Sequence, residues 1–162
     1  MPNTLQLLQK SIIASLGGAL ATAILLLISE QSGHAWIMAP FGASCVILFA
    51  LPESPLARAK NVIIGHTLTA LTGLIALHYL PMSTLTIALA VGLGIGLMLL
   101  SKTTHPPAGA NPLLILFSGK TFGWDFLIFP VLLGAVALVL IAHIYHRLMN
   151  YMQQQTAPPP NH

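Results

Sequence analysis

Polar groups are scarce in this chain, and the few that sit inside apolar stretches are where chemistry could occur. Two short segments hold most of them. Pro40-Phe41-Gly42-Ala43-Ser44 and Pro107-Ala108-Gly109-Ala110-Asn111 superpose at an offset of 67 residues. Proline, glycine and alanine coincide, Ser44 falls opposite Asn111, and each segment runs on into an apolar tail, CVILFA or PLLILF. Proline is favoured at the first position of a helix, where its missing N–H costs nothing, so Pro40 and Pro107 are each expected to start a half-helix. The amides of Phe41, Gly42, Ala43 and Ser44, and of Ala108, Gly109, Ala110 and Asn111, are then free. A helix N-terminus suits an anion without any cationic side chain. Gly42 and Gly109 let a ligand approach the backbone, and the Ser44 hydroxyl and Asn111 amide add donors. The competing reading is that these glycines and alanines serve only close helix packing.

Seven histidines are the other conspicuous group. His66 lies a few residues into an apolar block and His105 directly precedes Pro106 and Pro107. An ionisable side chain at membrane depth is a functional candidate by default, and either ring could accept a proton along with an anion. The expected substrate-binding set is therefore Pro40 to Ser44, His66, His105, Pro106, and Pro107 to Asn111. His34, His78 and His146 fall at block ends, and His162 is in the tail. His143 and His146 share a helical face but have no carboxylate or thiolate beside them, so no metal site is expected. Glu30, Glu53 and Asp125 form no pair within a block, which removes a two-carboxylate protease. Gly42-Ala43-Ser44-Cys45 is similar to the Gly-x-Ser-Gly of rhomboid-type proteases, but cysteine replaces the last glycine. No catalytic group and no cofactor are expected.

These residues need a scaffold that can hold polar groups in lipid. The chain has 162 residues, 56% hydrophobic and only 6% charged, with a mean hydropathy of +0.84. Soluble domains carry about 25% charged residues, so a water-soluble globule is excluded. Six Lys and Arg residues form no stripe that could follow nucleic-acid phosphates. Four apolar blocks are long enough to cross a bilayer: Ser11 to Ser29, Asn61 to Leu80, Ser83 to Ser101, and Phe126 to His146. Two are short, Ala35 to Leu51 and Pro106 to Ser118. Lys10 is the first charge and no cleavage site follows, so the first block reads as a retained helix. Cys45, the only cysteine, cannot close an intrachain disulfide and reads as a small core residue. Gly92, Gly94 and Gly96 form a small-residue face expected to pack against a helix.

The order long, short, long occurs twice, giving one domain over 1–150 with halves of about 11–80 and 81–148, and a disordered proline-rich tail over 151–162. With a cytoplasmic N-terminus and six crossings, Lys10, Arg58, Lys60, Lys102 and Arg147 fall inside and Lys120 outside, as the positive-inside tendency favours. A re-entrant Pro106 to Ser118 scores equally, so charge leaves that choice open. Three crossings per half invert the second half, an arrangement that places binding sites where short helices meet near the midplane. The expected fold is an all-α polytopic bundle in the cytoplasmic membrane, with four long helices, two half-helices and an inverted 3+3 repeat. Small-residue faces suggest self-association into a homo-oligomer.

Thr104-His105-Pro106-Pro107-Ala108-Gly109-Ala110-Asn111-Pro112 resembles the signature of the HPP family of integral membrane proteins, named for its His-Pro-Pro. Ala39 to Ser44 and Ser54 to His66 are similar to that family's other characteristic segments, so the resemblance covers about Leu16 to Arg147. It implies four membrane helices. Members in cyanobacteria and chloroplasts are implicated in nitrite transport, which implies transport of a small inorganic anion here. Many members have no established substrate, and a channel for an uncharged solute or metal ion, or a sensory or structural protein, stays open on the residues alone.

Overall fold

A computed structural model describes residues 3–156. Among them every regular element is helical and no strand occurs. Helix α1 spans Thr4–Ser32 and opens with reciprocal hydrogen bonds between Asn3 and Gln6, which satisfy two amides a helix start otherwise leaves bare. It closes on Gly33 at φ 69°, a conformation glycine adopts without a Cβ penalty. Extended chain then leads to α2, Pro40–Cys45, which continues through a π-helical turn at Val46–Ala50. Helix α3 spans Ala59–Tyr79 and α4, capped by the Ser83 side chain, spans Thr84–Leu100. A 3-10 turn at Pro106–Ala110 feeds α5, Asn111–Phe117. Short turns at Trp124–Leu127 and Ile128–Leu132 lead into α6, Leu133–Thr156.

Three helices are long and apolar enough to cross a membrane: Thr4–Ser32, Ala59–Tyr79, and Trp124–Gln155 taken across its break. That break is at Phe129, whose φ/ψ of −121°/121° is not helical; Pro130, next in sequence, disfavours helical backbone at the residue before it. Helix α4, expected as a fourth long span, has 17 residues and is shorter than these.

Helix α3 is the axis of the bundle. Half of it is buried, with α4, α5 and α6 against it. Two glycines allow the close approaches. A Cβ at Gly73 would meet Ile115 Cδ1 at 2.9 Å and Pro112 Cα at 3.0 Å, and one at Gly94 would meet Thr69 Cγ2 at 3.1 Å. Gly92 and Gly96 face open space instead, because residues two apart on a helix point to different sides. The expected three-glycine face is thus one contact.

The described helices run between two ends of the molecule. At one end Lys10, Leu51, Pro52, Glu53, His146 and Asn150 line a common 670 Å³ cavity. At the other, His34 and Trp36 set their edges against Phe129, and His78 stacks on Trp124. The segment from Thr103 to Ile115 runs beside α3, from Gly65 to Gly73. The expected disordered tail needs correction at its start: α6 remains helical through Thr156, because the strong helix formers Met152 and Gln153 to Gln155 extend it past Arg147. Residues 157–162 of that tail lie outside the described residues.

Candidate functional site

Four elements converge on one buried point. Helix α2 supplies Ser44, α3 supplies His66 and Thr69, the extended residue before the 3-10 turn is His105, and α5 opens with Asn111. All five are fully buried. Ser44 Oγ lies 2.9 Å from His66 Nε2 and 2.8 Å from His105 Nε2. The other face of His66 meets Asn111 Nδ2 at 3.0 Å, and His105 Nδ1 meets the Leu56 carbonyl oxygen at 2.9 Å.

Donor counting fixes the proton positions. A carbonyl only accepts, so His105 carries its hydrogen on Nδ1, and its Nε2 must accept the Ser44 hydroxyl proton. Asn111 Nδ2 also faces two acceptors, the His66 carbonyl at 3.0 Å and Thr69 Oγ1 at 2.9 Å. Thr69 spends its own hydrogen on the Gly65 carbonyl at 2.9 Å. The Ser44 hydroxyl has one hydrogen and gives it to His105, so His66 carries its own hydrogen on Nε2 and donates it to Ser44. His66 Nδ1 then accepts from Asn111 Nδ2, whose two hydrogens are shared among three acceptors. The result is a one-way chain from Asn111 through His66, Ser44 and His105 to the Leu56 carbonyl, satisfied by uncharged rings.

Neighbouring residues hold this chain in place. The Phe41 ring sets its edge against His66 at a centroid distance of 5.0 Å, and the Pro40 carbonyl lies 3.4 Å from Ser44 Oγ. Gly65 lets the His105 segment approach α3: a Cβ there would meet Thr103 O at 3.1 Å and His105 Cβ at 3.2 Å. Asn61 Nδ2 donates to the carbonyls of Pro55 and Thr104 at 3.1 and 3.0 Å. Those residues adjoin Leu56 and His105, so Asn61 ties the two partners of that bond together. Its buried Oδ1 has no hydrogen-bond partner.

The structure brings Pro40, Phe41, Ser44, His66, His105 and Asn111 together, with Pro107 and Ala108 buried beside them. It turns Gly42, Ala43, Pro106 and Ala110 outward and leaves Gly109 half-buried. The expectation of free amides is corrected for four of the eight. Phe41 N–H donates to Met38 O at 2.9 Å and Gly42 N–H to Ala39 O at 3.1 Å, while Ala108 N–H donates to His105 O at 3.0 Å and Asn111 N–H to Ala108 O. Ala39 is already helical at φ −51°, ψ −41°, and 3-10 winding uses each amide one residue sooner than an α-helix does. Thr69, Asn61 and the Leu56 carbonyl were not expected in the site. Thr69 could have been found, since residues three apart share a helical face. Among the described residues, no three His, Cys, Asp or Glu side chains stand together as metal ligands.

The sequence pattern of the HPP transmembrane region matches residues 3–156. The chain belongs to the HPP family. It is 34% identical over 128 residues to a transmembrane protein of Dictyostelium discoideum, covering 75% of this chain and 44% of that relative. A second transmembrane protein of the same organism is 32% identical over 153 residues, covering 90% of this chain and 48% of the relative. The HPP chain thus spans about half the length of the curated relatives it matches. No solved structure matches it. The HPP motif itself contributes His105, Pro107, Ala108 and Asn111 to the buried cluster and its surroundings.

Proposed function

We propose that this HPP protein is a transporter or channel for a small inorganic anion, nitrite foremost, in the cytoplasmic membrane. The observation that carries the reading is the Ser44 hydroxyl bonded to both His66 and His105 at zero exposure. Polar groups are costly to bury in such a bundle, and ionisable ones within a membrane mark solute pathways. At rest the site offers neutral donors, and among the described residues no Lys, Arg, Asp or Glu is buried.

Four longer helices and two half-helices cross as an inverted 3+3 repeat. In support, α1 lies on α6 as α4 lies on α3, so the first helix of each half packs against the third helix of the other. Ser44 and Asn111, equivalent in the two halves, hold opposite nitrogens of His66. With six crossings, the lysine and arginine distribution supports a cytoplasmic position for Lys10 and Arg147. The protein is not an enzyme in this reading, and copies associate in the membrane; crosslinking in native membranes tests the association.

Liposomes carrying the full chain, assayed with nitrite, nitrate, formate and a divalent cation, test the reading. Nitrite uptake above that of empty liposomes is expected. Liposomes no leakier than empty ones would remove it and favour a sensory or structural role, and selective cation flux would replace it with a metal-ion channel.

A further inference from the structure

One lone pair in the cluster can be freed by a single bond rotation. His66 Nδ1 is occupied by Asn111 Nδ2, an amide pinned by the His66 carbonyl and Thr69 Oγ1 as well. His105 Nε2 is occupied only by the Ser44 hydroxyl proton, and a hydroxyl rotates freely to suit its acceptors. A second acceptor is within reach, the Pro40 carbonyl at 3.4 Å. With the hydroxyl turned to Pro40, His105 can take a proton on Nε2 and donate from both ring nitrogens, to the Leu56 carbonyl and to Ser44 Oγ. His66 Nε2–H already points at that oxygen. Two imidazole N–H groups, one of them cationic, then converge on a single point from 2.9 and 2.8 Å. That is the geometry of charge-assisted bonds to an oxyanion oxygen.

We propose that the site carries its anion together with one proton, held on His105 Nε2, and that Ser44 Oγ marks the position taken by an anion oxygen when the serine side chain swings aside. The inference rests on the anion-transport reading above and adds the coupling to it. A lone anion at this depth meets no counter-charge, because among the described residues no lysine or arginine is buried. A proton on His105 supplies one.

The groups around His105 leave it as the proton's place. From α3 the titratable neighbour is His66, at a centroid distance of 5.1 Å. From α2 comes Ser44, while Cys45 lies half-buried among residues lining a groove against α1. Helices α4 and α5 contain no titratable residue. The turn at 55–57 presents the Leu56 carbonyl, and Arg58 beyond it is exposed. His143 and His146 of α6 line the cavity beside Pro52 and Ala57, with His146 donating to the Leu48 carbonyl.

The test uses the full chain in liposomes that contain a pH indicator, with membrane potential clamped by potassium and valinomycin. Nitrite uptake and internal acidification are followed together. Empty liposomes run in parallel correct for nitrous acid crossing lipid unaided. The expected result is a protein-dependent proton-to-nitrite ratio close to one and a rate indifferent to imposed potential. His105→Gln is expected to lose the proton component. Nitrite uptake without matching acidification, or uptake driven by an interior-positive potential, overturns the coupling and leaves anion transport standing. Coupling retained in His105→Gln overturns the assignment to that ring. No protein-dependent flux of nitrite, nitrate or formate overturns both readings. If His105→Gln does not fold, the ratio in the unaltered protein decides.

Discussion

Ser44 and His105 lie 61 positions apart in sequence, yet Ser44 Oγ and His105 Nε2 meet at 2.8 Å inside the bundle. That contact joins the two half-helix segments, and His66 closes it from the side.

Removing the hydroxyl should therefore cost stability as well as function. Ser44→Ala leaves His66 Nε2–H without an acceptor and His105 Nε2 without a donor, both fully buried. A buried polar group deprived of its partner costs about 1–3 kcal/mol. Unfolding in detergent should show a loss of that size, and a midpoint equal to the unaltered protein's would contradict the hydrogen-bond assignment.

The two rings are expected to be opposite tautomers, His66 with hydrogen on Nε2 and His105 with hydrogen on Nδ1. Nitrogen-15 spectra of histidine-labelled protein in lipid, assigned by single substitutions, read this directly. Asn111→Asp replaces a donor with an acceptor beside His66 Nδ1 and should move the His66 hydrogen to Nδ1. Identical tautomers in the unaltered protein would break the one-way chain.

The glycines separate packing from openness. Gly73→Ala forces a Cβ to 2.9 Å from Ile115 and 3.0 Å from Pro112, and overpacking of this kind costs about 1–3 kcal/mol. Gly42→Ala and Gly109→Ala meet no atom within 4 Å and should leave stability unchanged or slightly raised. Equal destabilisation at all three would contradict the close seating of α5 on α3.

Asn61 is a positioning residue for His105. Asn61→Leu removes both bonds that tie Pro55 to Thr104, together with the unpartnered Oδ1. Nitrite uptake should fall and its pH profile should change, whereas a purely structural role would lower the amount of folded protein without altering the profile.

The apolar blocks made most of the helices legible, and the superposition of Pro40–Ser44 on Pro107–Asn111 pointed to the residues that meet. His66 and His105 were legible as ionisable groups at depth. What periodicity could not carry was the exact winding. The 3-10 and π turns around Pro106 and Val46 depend on tertiary contacts, so amides that looked free are bonded within the backbone. The Leu56 carbonyl and Asn61 stayed hidden for a different reason: they act through backbone groups and a long-range clamp, which leave no pattern in side-chain type. The break at Phe129 had a visible signal in Pro130, which the long apolar run outweighed.

The modest length of α4 has a bearing on the lipid around it. Seventeen residues rise about 25 Å, less than the roughly 30 Å hydrocarbon layer of an ordinary bilayer. As the proposed fourth span, Thr84–Leu100 would require the acyl chains beside it to compress or tilt, at a modest energetic penalty per ångström. Membranes of shorter-chain lipids should therefore accommodate this face with less distortion, making fatty-acid composition a variable that tunes the protein.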